Sequence, residues 1–277
     1  MYKFAPFQLG NYNYYIMKKV AIVTGGSSGI GSCVAERLSK QGYQIYELSR
    51  TSKNREKLIH IDCDVTESED IIKAINEIIS REDRIDLVVN CAGFGISGAV
   101  EYTDIIEAKR QFEVNFFGTI EVNRTCIPHL KNSKGRIVNI SSVAALAPIP
   151  FQAYYSACKA AINSYTLALS NELRPFGISV CAIMPGDTST GFTAARRKSI
   201  KGDEEYDGRI SRSVKKMEED EKRGVSAEKA AETICRIALK KKVKPIYTIG
   251  LDYKLIVVLL KILPYRMSNY LIYKIYG

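Results

Sequence analysis

Short apolar runs alternate along this chain with stretches whose apolar residues recur at helical spacing. Residues 19–24 form a short β-branched run and predict a buried strand, and residues 30–41 predict a helix ended by Gly42. The same reading places a second strand at residues 44–49, a third at 58–62 and a helix across 68–81. A fourth strand of nearly continuous apolar character follows at residues 85–90, then a long helix at 105–125. Residues 135–141 predict a fifth strand, 153–172 another helix and 178–184 a sixth strand. Continuous apolar strands separated by helices predict an α/β fold, a doubly wound parallel sheet with helices on both faces. Ligands of such sheets sit beyond the carboxyl ends of the strands. No internal repeat or linker interrupts the pattern, so one domain is expected over residues 18–250.

The ends depart from it. Residues 1–17 hold several aromatics but no continuous apolar segment or cleavage site of a signal peptide. They are expected to be an extension with little structure, with Met17 the candidate functional start. Residues 191–224 are long, charged and punctuated by Gly191, Gly202, Gly208 and Gly224. They read either as a mobile lid or as a solvated helical excursion. Residues 251–277 form an apolar, then aromatic and basic, helical tail. Its apolar run from Leu255 to Leu260 is far short of the ~20 residues that a membrane span needs. Three uses stay open for it: closing a substrate pocket, an interfacial membrane anchor, or an oligomer contact.

Composition narrows the chemistry. The net charge is +10, but the cations form no single stripe and no nucleic-acid-binding pattern occurs, so no nucleic-acid partner is expected. Within residues 196–244 basic clusters interleave with Glu218 to Glu221, as on a solvated helix face. Seven cysteines, spread evenly and without a CxxC pair, imply reduced thiols in a cytoplasmic protein. With two histidines, His60 and His129, neither an imidazole metal site nor a Ser-His-Asp triad is expected. Each histidine is read as a surface or loop residue.

Tyr155 and Lys159 are four residues apart, so on a helix they share one face. An unperturbed tyrosine, with a pKa near ~10, is a poor base at neutral pH. Lowering it by about three units takes roughly 4 kcal/mol, within reach of an ammonium and a second positive centre. Ser142 lies thirteen residues before Tyr155. At the other end of the reading, Thr24, Gly25, Gly26, Ser27, Ser28, Gly29, Ile30 and Gly31 join a strand to a helix. Glycine there lets backbone approach a pyrophosphate, and the helix start offers free N–H groups to phosphate.

With Asp64-Val65, Asn90-Cys91-Ala92-Gly93, Asn115 and Pro185-Gly186, these pieces occur in an order that resembles the short-chain dehydrogenase/reductase family. The resemblance covers roughly residues 18–190 and implies a Rossmann-type fold with a homodimeric or homotetrameric assembly. Two positions depart from the family pattern. Cys91 replaces a frequent asparagine, and Val143-Ala144-Ala145 lacks a frequent glycine. The resemblance implies that Tyr155 exchanges a proton with the substrate oxygen and Ser142 positions that oxygen. Lys159 would lower the Tyr155 pKa and hold the nicotinamide ribose, and Asn115 would hold a water linking Lys159 to solvent. Asp64 and Val65 would meet adenine, and Asn90, Ala92 and Gly93 would pass the adenosine ribose. Pro185 and Gly186 would pass the nicotinamide, and Thr188 or Thr190 would contact its carboxamide or a phosphate.

Ser49 occupies the position where NAD-preferring relatives carry an acidic residue, and Arg50 follows it. A carboxylate repels a 2′-phosphate, whereas a guanidinium binds it, so the expected cofactor is NADP, without a metal. Glu47 is the competing ribose ligand, two residues too early. The tail resembles those of steroid- and retinol-type members, which implies an apolar alcohol or carbonyl substrate. Reduction of a 3-ketoacyl thioester and a non-catalytic NADP-binding redox sensor are the alternatives.

Overall fold

The structure is a computed structural model, and it describes residues 4–9, 12–53, 55 and 57–277. Seven strands make the central sheet: β1 (Val20–Thr24), β2 (Gln44–Ser49), β3 (Leu58–Asp62), β4 (Leu87–Asn90), β5 (Arg136–Ile140), β6 (Ser179–Met184) and β7 (Ile246–Thr248). All pair in parallel, in the order β7-β6-β5-β4-β1-β2-β3. The order reverses at β1, which puts the sheet's crevice beyond Thr24 and Asn90.

The longer helices are α1 (Gly29–Lys40), α2 (Ser68–Glu82), α3 (Ile105–Phe112), α4 (Gly118–Ser133) and α5 (Ala153–Glu172), then α6 (Arg209–Arg223), α7 (Ala227–Ala238), α8 (Leu251–Ile262) and α9 (Tyr265–Tyr276). Alternation along β1 explains why its sequence is apolar throughout. Val20 and Ile22 enter one core with Ile75 of α2 and Leu130 of α4, while Ala21 and Val23 enter the other with Val34 of α1 and Ile234 of α7. Removing a side chain such as Ile22, which is fully buried, would cost about 2–5 kcal/mol.

Three elements differ from the sequence reading. The helix expected over 105–125 runs to Ser133 but is broken by a π-helical turn at Glu113–Phe117, centred on buried Asn115. A seventh strand, β7, pairs with β6. It is three residues long and preceded by Pro245, too short to stand out by periodicity. Residues 1–17 do not lack structure throughout: Phe4–Leu9 and Tyr12–Met17 pair as an antiparallel hairpin outside the main sheet. Their aromatic content favours extended backbone. Residues 1–3, 10 and 11 lie outside the described residues.

The charged segment 191–224 is ordered around α6. Ile210, Val214 and Met217 of that helix bury against Ala99 and Phe151. Arg196 is buried and paired with Glu221, and Lys198 pairs with Glu218. The expectation of a wholly solvated face fails at Arg196, because Glu221 accompanies it out of water. Among the described residues no helix is long and apolar enough to cross a membrane.

Candidate active site

One cavity of about 740 Å³ opens beyond the carboxyl ends of β1, β2, β4, β5 and β6. Two turns shape one end of it. Gly25 adopts φ +63°, and a Cβ there would lie 2.8 Å from the Ala92 Cα. A Cβ on Gly31 would lie 2.4 Å from the Gly25 carbonyl oxygen. Both positions therefore require glycine, and the turn they form lies against the start of α1. That helix has no side-chain cap bond at Ser28 and no acidic residue in its first turn. Its free N–H groups and positive dipole end suit a phosphate, so the cradle fits a dinucleotide.

Gly25, Ser27, Ser28, Gly29, Ile30, Gly31, Ser49, Arg50, Asp64, Val65, Ala92 and Gly93 all line this end. Thr24 and Asn90 do not. The Cys91 and Ala92 N–H groups donate to Thr24 Oγ1 at 3.1 and 3.2 Å, so Thr24 ties the two turns together from below. Asn90 turns inward and donates to Asn123 Oδ1 (2.7 Å) and Asn139 Oδ1 (2.9 Å), while Asn139 donates to Thr166 Oγ1. Its side chain pins β4 to β5 and α4 and does not face the cavity, a correction to its expected place beside a ribose.

Ser49 and Arg50 end β2 at the cavity, and the Arg50 guanidinium stands 4.0 Å from the Asp64 carboxylate. Glu47 is buried elsewhere: its Oε2 lies 2.6 Å from His60 Nδ1, and His60 Nε2 lies 2.9 Å from Asp62 Oδ1. Burial alone would lower the His60 pKa, but the two carboxylates outweigh it and raise the value. His60 is thus a partly buried strand residue with two partners, and Glu47, which it holds, does not line the cavity. Arg55 is a contact that the sequence reading missed. Its guanidinium donates to the Gly26 carbonyl at 3.4 Å and pairs with Glu36.

The other end of the cavity holds Ser142, Tyr155, Lys159, Pro185, Gly186, Thr188 and Thr190. Tyr155 and Lys159 share a face of α5, with the Lys159 Nζ 5.7 Å from the Tyr155 ring centre. Lys159 is buried and donates to the Ile140 carbonyl at 2.9 Å. Burial holds its pKa below the usual lysine value, and its near neighbours Cys91 and Cys158 are thiols pushed up to about 12 and about 11. Tyr155 does not follow the expected downward shift. Burial pushes its pKa up to about 12, against lowering by a hydrogen bond with Ser142 and by the Arg196 cation. Lys159 points its donor to a carbonyl instead, so Tyr155 stands as a neutral phenol.

Asn115 lies beneath the cavity wall and does not line it. Its Oδ1 accepts from the Phe94 N–H at 2.9 Å, and its Nδ2 donates to the Phe94 carbonyl at 2.8 Å. Its side-chain oxygen and nitrogen both bond the backbone that follows Gly93, so the amide holds this turn. Ser141 donates to the Lys159 carbonyl at 3.0 Å, and the Tyr154 hydroxyl faces the Val100 carbonyl at 3.5 Å. Neither belongs to the reacting group. Phe192 packs on Tyr155 with ring centres 5.7 Å apart.

Sequence reasoning did not find how far the cavity extends. Met217 and Glu221 of α6 wall it, as do Ile256, Leu259 and Leu260 of α8 and Leu271, Ile272 and Ile275 of α9. The Tyr253 hydroxyl bonds the Asp187 carboxylate, and Tyr276 donates to Asp220 at 3.1 Å, so both terminal helices are tied to the cavity rim. Of the three uses left open for the tail, pocket closure is present, and it does not exclude the other two.

A nucleotide cradle joined to a buried tyrosine–lysine pair on a doubly wound sheet defines a class of dinucleotide-dependent oxidoreductases. The sequence profile of the short chain dehydrogenase family matches residues 19–201, and the chain belongs to that family. The chain is 39% identical over 227 residues to 3-ketodihydrosphingosine reductase of Bacteroides thetaiotaomicron, covering 80% of this chain and 84% of that protein. A crystal structure of a short-chain dehydrogenase from Streptomyces avermitilis superposes with a TM-score of 0.79 at 27% identity, covering 87% and 91% of the two chains. ElxO with NADP bound superposes with a TM-score of 0.71 at 25% identity, covering 86% and 99%.

Proposed function

We propose that this oxidoreductase uses NADP(H) to interconvert a secondary alcohol and a ketone on an apolar, lipid-like substrate. The observation that carries the reading is the continuity of one cavity. It runs from the glycine cradle past Tyr155 into a chamber walled by Met217, Leu260 and Ile272. The resemblance to a reductase of a sphingoid ketone supports a long-chain carbonyl. NADP finds support in Arg50 at the cavity mouth, in the place of Glu47 outside the cavity lining, and in the NADP held by ElxO.

In reduction, Ser142 donates a hydrogen bond to the substrate oxygen and fixes its position. Bound NADPH supplies the hydride. Tyr155, kept neutral by burial, gives its proton to the same oxygen as the carbonyl becomes an alcohol. The nearby Lys159 ammonium then stabilises the phenolate left behind, and its remaining N–H groups are available to the cofactor ribose. In oxidation the proton runs the other way. The π-helical turn reshapes the backbone at Asn115, whose carbonyl accepts from Thr119 Oγ1 at 3.0 Å.

NADPH consumption with a panel of ketones tests the reading, with Tyr155→Phe as the control. The wild type should turn over a medium- or long-chain ketone, and the variant should lose about 10²–10⁴-fold in kcat while binding NADPH as before. Tight NADPH binding without turnover of any carbonyl would instead favour a sensor.

A further inference from the structure

Helices α8 and α9 are apolar on both sides. Val257 and Ile272 are buried, and Leu260 and Leu271 wall the cavity. The outward side of α8 carries Leu251, Leu255, Val258 and Ile262, each more than half exposed and spaced on a single helical face. Tyr265 and Tyr270 continue the apolar surface onto α9. More than half of the exposed large apolar side chains among the described residues fall in residues 251–275. A helix apolar all round belongs in an apolar environment, and an exposed patch of this kind marks an interaction surface.

The charges say which surface. Lys254, Lys261, Arg266 and Lys274 stand exposed among these residues, against Asp252 as the one carboxylate side chain of the segment. None of the four cations enters an ion pair among the described residues. A second copy of this face would bring like charges together, since a two-fold contact meets itself. Tyrosines beside lysines on an apolar face suit the boundary between headgroups and acyl chains. At 12 residues each, α8 and α9 are about 18 Å long, too short to span a bilayer.

We propose that α8 and α9 dock this protein onto an anionic phospholipid bilayer. The cavity side of the same helices then faces Tyr155 while their outward side sits among the headgroups. Docking stands on the surface alone. Passage of a lipid ketone from the bilayer between α8 and α9 into the cavity rests on the function proposed above.

The test is co-sedimentation of the full chain with phosphatidylcholine vesicles, with and without phosphatidylglycerol. Binding is expected to the anionic vesicles, to weaken as salt is raised, and to fall about tenfold or more in a Lys261→Glu, Arg266→Glu, Lys274→Glu variant. The exposed-face variant Leu255→Asp, Ile262→Asp should also detach. Both variants should keep wild-type turnover of a water-soluble short-chain ketone, which shows that they fold. Equal binding to neutral and anionic vesicles, or no binding, would overturn docking. So would a concentration-dependent dimer that Ile262→Asp dissociates without any vesicle binding. Failure of the wild type to reduce any ketone would defeat the proposed function and leave the vesicle result standing.

Discussion

Arg50 is two-thirds exposed at the cavity mouth, with its guanidinium 4.0 Å from the Asp64 carboxylate. A cation so placed is free to meet a 2′-phosphate, and a bond of that kind is worth about 1.5–3 kcal/mol. Arg50→Asp should therefore lower the ratio of kcat/KM for NADPH over NADH by about 10- to 100-fold. Steady-state kinetics with both cofactors checks this, and an unchanged ratio would remove Arg50 from the phosphate contact. Arg55, held by the Gly26 carbonyl and Glu36, was invisible in the sequence because its segment carries no motif. The direction of the Tyr155 shift was equally hidden. Spacing showed that Lys159 shares its face, but not that Lys159 would turn its donor to Ile140.

The elements that position the site were legible where a pattern was long. The glycine turn, α5 and the six longer strands could be read because period and turn chemistry agree there. The π-helical turn could not. Its residues Glu113 to Phe117 follow ordinary helical periodicity, and the break comes from the Asn115 side chain reaching Phe94 across the fold. Asn115→Leu would leave the Phe94 N–H without its partner, while Gln111 still donates to the Phe94 carbonyl, at a cost of roughly 1–3 kcal/mol. Thermal unfolding should shift down by about 2–5 °C, and a variant indistinguishable from wild type would contradict this role for the amide. The walls supplied by α8 and α9 were read only as one of three options. Whether an apolar tail folds back is decided by contacts such as Tyr253 with Asp187, which no local pattern records.

Across the molecule, burial raises the pKa of many acids that are neutral at pH 7. Cys63 and Cys181 are pushed up to about 12, as is Tyr155, and Tyr46 and Cys126 move the same way. Their unfolded values are 9.0 for the thiols and 10.0 for the phenols. The unfolded chain therefore loses protons first as pH rises. This contribution to stability is fully present below about pH 9 and is lost as pH climbs through the folded values. A melting temperature that falls steadily from pH 9 to 11 is expected, and one that stays flat or rises would show these groups to be exposed.

One apolar chamber continuous with the nucleotide cradle should read the length of its substrate. Each buried methylene is worth about 0.8 kcal/mol, close to fourfold in kcat/KM. The most direct measurement is kcat/KM for NADPH-driven reduction across a series of 3-ketones of growing alkyl chain. It should climb by about threefold to fourfold per methylene until the chamber is filled. A rate indifferent to chain length, or highest for the shortest ketone, would contradict a lipid-like substrate at Tyr155.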